Sequence, residues 1–255
     1  MSLRGKSILV AGATGGLGQA VVSELASLEA TLMLIHHGVS TRATELRNKL
    51  TSTSSDAVFY SCDFTNSDDI HDALETFFDQ SKEPYGLVNL IGDPARVDWQ
   101  KAQINHMQES FLKNASAPLH SAKEFGLRLQ QKKLAGAIVL FSTMQGVYPF
   151  EGSLYYATPK AALIHGAKIL AKEFGGDPFI RVNVIAPGVN KAGMAEESIK
   201  KGKYEKLVQQ KIIPSYGDPS SIGRLTAFLL DPGLYMTGQA LLYDGGLTLR
   251  RDLLR

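Results

Sequence analysis

Two side chains four residues apart, Tyr156 and Lys160, form the pair in this sequence best suited to moving a proton. At i and i+4 on a helix the two share a face. A tyrosine with its usual pKa of about 10 is a poor acid or base at neutral pH. An ammonium fixed beside it favours the phenolate. A lowering of roughly three units corresponds to about 4 kcal/mol of differential stabilisation and makes a usable general acid and base. Tyr155 competes for the role, but its spacing to Lys160 turns it onto another helix face. Pro159 is tolerated in the first turn or two of a helix, which puts Tyr156 near the helix start, where the positive dipole end also favours phenolate. Taken alone, a Tyr-x-x-x-Lys pair is common on helices and usually carries no chemistry.

The second feature binds an anion. Ala11-Gly12-Ala13-Thr14-Gly15-Gly16-Leu17-Gly18 follows a short apolar run and opens a helical pattern. Glycines there let the backbone approach a pyrophosphate, and the helix start offers free N–H groups and a positive dipole end. The spacing is Gly-x-x-x-Gly-x-Gly rather than the commoner Gly-x-Gly-x-x-Gly, and a tight turn without ligand is the alternative. About 20 residues past such glycines, nicotinamide sites often hold an acid for the adenosine ribose. Here His36 and His37 stand in that place, no Asp or Glu occurs between Glu29 and Glu45, and Arg42 is close by. A carboxylate clamp for NAD is therefore absent. A 2′-phosphate would be better tolerated, with His36, His37 or Arg42 as donors, so NADP is expected ahead of NAD. The alternative is that both histidines are solvated loop residues.

The elements that must position these groups alternate along the chain. Apolar runs at 7–11, 31–35, 57–60, 86–91, 137–141, 181–185 and 239–243 read as strands. Helical spacing covers 18–28, 41–50, 67–78, a long tract at 99–133, and 153–174. The strands are continuously apolar rather than alternating, which suits a parallel sheet covered on both faces. The expected fold class is α/β: a single-domain, doubly wound (Rossmann) parallel sheet of about seven strands spanning 1–255, with ligands at the carboxyl ends of the strands. The polar stretch at about 190–213 breaks the rhythm and is a candidate substrate lid. Met194, Ile199, Tyr204, Leu207, Val208, Ile212 and Ile213 give it an apolar face.

Composition narrows the class further. The chain has 255 residues, 44% hydrophobic and 20% charged, which is ordinary globular usage. Its formal charge of +2 gives no reason to expect nucleic acid or an anionic membrane. Cys62 is the one cysteine, so no internal disulfide and no cysteine zinc site is expected, and no metal is expected. No run of about 20 apolar residues is present, and no signal peptide is recognised. A soluble cytoplasmic enzyme is the expectation.

Together these motifs resemble the short-chain dehydrogenase/reductase family, including its 3-oxoacyl-carrier-protein reductases, over nearly the whole chain. The resemblance identifies residues 11–18 with the family's cofactor loop, implying contacts from Gly12, Thr14, Gly16, Leu17 and Gly18. It matches Cys62-Asp63-Phe64 to the turn that touches adenine, and Asn89, Ile91 and Gly92 to the Asn-Asn-Ala-Gly strand end. It matches Asn114 to the helix asparagine anchoring a proton-relay water, and Pro187, Gly188 and Val189 to the turn lining the nicotinamide. Thr237-Gly238-Gln239 and Asp244-Gly245-Gly246 match its C-terminal signature. Tyr156 and Lys160 take the catalytic places, with both also touching the cofactor. The implied activity is NAD(P)-dependent interconversion of a carbonyl and a secondary alcohol, on 3-oxoacyl-type or other small apolar ketones.

Two departures bear on that expectation. The serine expected 13 residues before the tyrosine is Thr143, whose hydroxyl can still donate but whose methyl narrows the site. Ser142 is adjacent, but on a strand it should face the other way. The threonine expected four residues after Gly188 is Ala192, which loses one hydrogen bond worth about 1 kcal/mol to the nicotinamide. These changes motivate the alternative of a catalytically impaired, NADP-binding sensor or scaffold. Enoyl reductases of similar fold carry a Tyr-x6-Lys pair, and here Ser153 occupies that tyrosine's place. By resemblance a homo-tetramer or homo-dimer is expected. An acyl-carrier protein could dock on Lys123, Arg128, Lys132 and Lys133, although ordinary solvation explains those charges.

Overall fold

The structure is a computed structural model and describes residues 2–38, 41–51 and 56–250. Among these, seven strands form one all-parallel sheet in the order β3-β2-β1-β4-β5-β6-β7. β1 (Ser7–Ala11), β2 (Thr31–His36), β4 (Pro84–Asn89), β5 (Gly136–Phe141) and β6 (Ile180–Pro187) are buried along nearly their whole length. The edge strands β3 (Ala57–Ser61) and β7 (Ala240–Tyr243) are only half-buried. That division explains the continuous apolar runs: a central parallel strand has helices on both faces and no side that meets water.

Val10 pairs with Leu34 on one side and Val88 on the other. The chain winds outward from β1 in one direction and from β4 in the other. Beyond their carboxyl ends the two sets of loops part, and a crevice opens. On one face, α1 (Gly16–Ser27), α2 (Thr41–Thr51) and α9 (Pro219–Leu230) bury Val21, Leu25, Leu46 and Ile222. On the other, α3 (Ser67–Gln80), α5 (Ala117–Gln131) and α6 (Leu154–Glu173) bury Phe77, Phe125, Leu163 and Ala167.

Several expected boundaries move. The long helix does not begin at Trp99. The main-chain N–H of Gln100 donates to the Asp98 carboxylate, and those of Lys101 and Ala102 donate to its carbonyl, making a turn. The rod starts as α4 (Ile104–Phe111), capped reciprocally by Gln103 and His106. It runs through one π-helical segment, Leu112–Ser116, into α5. β4 ends at Asn89 instead of Ile91, because the Asn89 side chain accepts from the Ile91 N–H and turns the chain. α9 escaped the periodicity, although Asp218 caps it through the Ser220 N–H and Pro219 opens it. In the 190–213 segment, a 3-10 turn (Gly193–Ala195), α7 (Glu196–Lys200) and α8 (Glu205–Gln209) replace irregular chain. Leu207, Ile212 and Ile213 pack there with Met144, Val189 and Leu247. A single bridge between Asn190 and Gly217 joins the base of this segment. A short α10 (Leu247–Arg250) ends the described chain.

Candidate active site

The glycine turn sits at the crevice. Gly12 has φ +82°, a left-handed conformation that favours glycine. A Cβ on Gly18 would lie 2.2 Å from the Gly12 carbonyl oxygen, so the start of α1 can lie tight on the turn only with glycine there. A Cβ on Gly16 would lie 2.4 Å from the Gly193 nitrogen, which brings the 190–213 segment directly against this turn. Gly15 precedes α1 without a side-chain cap, and its first turn holds no acid. The leading N–H groups of a 12-residue helix thus meet no competing carboxylate. The side chain of Gln19 braces the turn by donating to the Thr14 carbonyl at 3.2 Å. Leu17 packs inward on the α1 face of the core.

At the end of β2, His36 places Nδ1 2.9 Å from the Gly38 carbonyl and stands edge-on to Phe59. His37 is exposed, and its charge helps hold the Asp63 carboxyl below the usual range, behind the larger effect of the hydrogen bond from Thr65. The Asp63 carboxylate accepts from both the main-chain N–H and the hydroxyl of Thr65, at 3.0 and 2.7 Å. Its role in the turn is thus structural as well. Phe64 departs from expectation: its side chain is in the core, so only its main chain can face a ligand. Asn89 is likewise committed inward, donating to the Ser121 hydroxyl at 2.9 Å. Ile91 is half-buried against the same core.

Tyr156, Lys160, Asn114 and Thr143 gather above the ends of β4 and β5. The π segment carries Asn114, which is fully buried. Its amide nitrogen donates to the Asp93 carbonyl and the Ser110 hydroxyl, each at 3.0 Å, and its oxygen accepts from the Asp93 N–H at 3.0 Å. The side chain is therefore spent on holding the Gly92–Asp93 turn, and a water relay could use only its main chain. Ser110, one turn before Asn114, also donates to the Tyr155 carbonyl and ties α4 to α6. Sequence reading missed Ser110, although the i, i+4 spacing was there to be seen.

Lys160 is 3% exposed and donates to the Phe141 carbonyl at 2.8 Å. A Cβ on Gly92 would sit 2.9 Å from both its Nζ and Asn114 Oδ1, so glycine there makes room for this pair. The Ser142 hydroxyl anchors α6 by donating to the Lys160 carbonyl at 2.8 Å. Thr143 is buried, accepts from the Gln145 N–H at 3.4 Å, and is hydrogen-bonded to Tyr156. The Tyr156 hydroxyl also donates to Met194 Sδ at 3.9 Å.

The electrostatics correct one expectation. Burial pushes the Tyr156 phenol up to about 12; the Thr143 hydrogen bond opposes this, and Asp93 and Tyr204 add to it. Burial alone pushes the Lys160 ammonium down to about 7. Lys160 is not among the groups acting on Tyr156, because its head is turned to the Phe141 carbonyl. The anticipated depressed phenol is therefore replaced by one held protonated through neutral pH.

On the far side of the crevice, Pro187 ends β6, and Gly188 lies so close to Asp244 that a Cβ would meet its Cα at 2.7 Å. Val189 is buried and Ala192 precedes the 3-10 turn. A buried cation that sequence reading took for a plain strand residue, Arg181, donates to the Leu229 and Asp231 carbonyls and the Tyr85 hydroxyl. It clamps the opposite, amino-terminal end of the sheet.

A seven-stranded parallel sheet with a glycine anion turn and a Tyr-x-x-x-Lys pair at its carboxyl edge defines a nicotinamide-dependent oxidoreductase. The sequence pattern of the family described as Enoyl-(Acyl carrier protein) reductase matches residues 12–248. The chain belongs to the short-chain dehydrogenase/reductase family, whose members use NAD(P) and act on CH–OH/C=O groups. A tropinone reductase homologue of Arabidopsis thaliana is 31% identical over 257 residues, covering 97% of this chain and 94% of the relative. A short-chain type dehydrogenase/reductase from Mycobacterium ulcerans has the same fold, with a TM-score of 0.89 at 20% identity over 98% of this chain and 92% of that one. ElxO, solved with NADP bound, superposes with a TM-score of 0.84 at 22% identity, covering 96% of this chain and 99% of that one. Among the described residues no helix is long and apolar enough to cross a membrane.

Proposed function

We propose that this chain reduces a small ketone to a secondary alcohol, with NADP preferred, and that Asn114, Thr143, Tyr156 and Lys160 form its catalytic set. The observation that carries the reading is the hydrogen-bonded pair of hydroxyls, Thr143 and Tyr156, one helical turn from Lys160. The name of the Arabidopsis relatives also suggests a ketone.

The cofactor fits the residues present. Gly12, Gly16 and Gly18 form a cradle that a Cβ at Gly16 or Gly18 would fill, and α1 opens onto it with free N–H groups. His36, His37 and Arg42 supply cationic or donor groups near the ribose end, with no acid in that loop. The bound nicotinamide supplies the hydride in reduction and accepts it in oxidation.

The chain's own residues do the rest. Thr143 donates a hydrogen bond to the carbonyl oxygen and fixes its position. Tyr156, protonated through neutral pH, gives that oxygen its proton as negative charge develops there. Lys160 would hold the ribose side of the site and, when charged, returns a proton to the phenol through water held against the Asn114 main chain. Asn114 keeps the Gly92–Asp93 turn against Lys160. Tyr156 keeps its proton at neutral pH, which is the form that ketone reduction uses.

One observation favours a second reading, an NADP-binding sensor or scaffold: besides Thr143, a thioether meets the Tyr156 hydroxyl where a substrate oxygen would have to come. Following NADPH absorbance with a panel of ketones and alcohols and both cofactors separates the two. Ketone-dependent oxidation of NADPH, faster than of NADH, is expected. Tight NADPH binding with no turnover on any compound would favour the scaffold. Within this proposal the 190–213 segment is the substrate lid of one catalytic domain. A cytoplasmic homo-dimer or homo-tetramer is the expected form, and docking by an acyl-carrier protein has no support beyond the basic surface of α5.

A further inference from the structure

The loop that follows β4 and the segment that follows β6 meet above Tyr156, and their contact is asymmetric. Arg96 reaches across to the 190–213 segment, where its Nη2 donates to the Met194 carbonyl at 3.0 Å and its Nη1 lies 3.8 Å from the Glu197 carboxylate. The same Met194 turns its side chain the other way, so that Sδ sits 3.9 Å from the Tyr156 hydroxyl. One residue earlier, Gly193 rests on Gly16 of the glycine turn. A guanidinium thus grips the main chain of a residue whose side chain reaches the proton donor.

We infer that Met194 is the specificity-determining wall of the ketone pocket and that Arg96 is the positioning residue that holds it there. This rests on the reading of Tyr156 as the proton donor to a ketone. A ketone oxygen must come within about 2.6–3.2 Å of the Tyr156 hydroxyl. A thioether already at 3.9 Å leaves room for a carbonyl carrying slim substituents and collides with a bulky one. Methionine suits the place, since its unbranched, polarisable side chain adapts to a modest intrusion and resists a large one. The exposed Arg96–Glu197 ion pair is worth little by itself. The bond to the Met194 carbonyl is the part that fixes where the sulfur can go, because it acts on the main chain of the same residue.

The test compares small and bulky ketones in Met194→Ala, Arg96→Ala and Arg96→Lys. The readout is the ratio of kcat/KM for a bulky aryl ketone to that for a small aliphatic one. Met194→Ala should raise this ratio at least tenfold, mainly through a lower KM for the bulky ketone. Arg96→Ala should raise it three- to tenfold in the same direction, and Arg96→Lys should return it most of the way, since an ammonium can still donate to the carbonyl. A ratio within twofold of wild type in Met194→Ala overturns the wall. A changed ratio in Met194→Ala with none in Arg96→Ala overturns the clasp. Tryptic cleavage at Lys200, Lys201 and Lys203 gives a second readout independent of turnover. Arg96→Ala should speed it at least fivefold and Arg96→Lys should not, while equal rates overturn the clasp. A wild-type chain that turns over no ketone, yet shows this pattern of cleavage, would sink the ketone reading and leave the clasp standing.

Discussion

A buried lysine and a half-buried tyrosine one turn apart are usually read as an ammonium tuning a phenol, yet here desolvation is the largest effect on both groups. Lys160 is pushed down to about 7 while in the unfolded chain it titrates near its ordinary value of 10.5. Between those values the unfolded chain binds the extra proton, so stability rises with pH across that window. Below about 7 the charge must be carried into the buried site and that contribution is lost. Lys160→Met should therefore raise the melting temperature at pH 6, and the gain should shrink toward pH 10. A constant difference across that range would show that Lys160 packs but does not titrate. Tyr156 stays protonated to about 12, so the pH dependence of ketone reduction near neutrality should follow Lys160: the rate should fall as pH rises through about 7 and its charge is lost, whereas alcohol oxidation should climb with pH. Measured initial rates in both directions check this. The identities of these residues were legible from spacing, but their pKa directions were not. Those depend on the Phe141 carbonyl and on enclosure by chain distant in sequence.

At the scale of elements, the site is assembled by side chains that stop one element and anchor the next. Asn89 ends β4, Ser142 ties the end of β5 to α6, and Asn114 pins the turn after β4 from within the π segment. Apolar periodicity located most of these elements because each central strand or helix face meets the same core along its length. It misplaced Trp99–Gln103 because the local Asp98 turn outcompetes the helix, and it missed α9 although Asp218-Pro219 marked its start. The glycine turn makes the sharpest test at this scale. Gly18→Ala sets a methyl 2.2 Å from the Gly12 carbonyl, so α1 must shift away from the turn. Such a clash costs roughly 1–3 kcal/mol. NADPH affinity should fall at least tenfold, with a lower melting temperature, by fluorescence titration and thermal unfolding. Unchanged affinity would mean that the turn is not a cofactor cradle.

For the whole molecule, the two ends of the sheet do different work. The carboxyl end gathers glycines, hydroxyls and the one buried lysine of the site, while at the amino end Arg181 closes the structure. Its guanidinium joins β6 to the chain after α9 and to Tyr85 of β4. Arg181→Met leaves carbonyls and a hydroxyl without that donor and should cost about 3 kcal/mol. The melting temperature should drop by roughly 5–10 °C with kcat little changed, because the clamp is remote from Tyr156. The parallel sheet and its winding were legible from the run of apolar segments. The Arg181 clamp and the Arg96–Met194 contact were not, since each joins residues about 50 or more positions apart with no local pattern. The central claim is that the Tyr156 hydroxyl gives its proton to a ketone oxygen. Its most direct test is NADPH-dependent ketone reduction by Tyr156→Phe, with NADPH binding measured on the same sample. Turnover should fall at least a hundredfold with binding within about twofold of wild type; near-normal turnover with intact binding would show that the proton comes from another group.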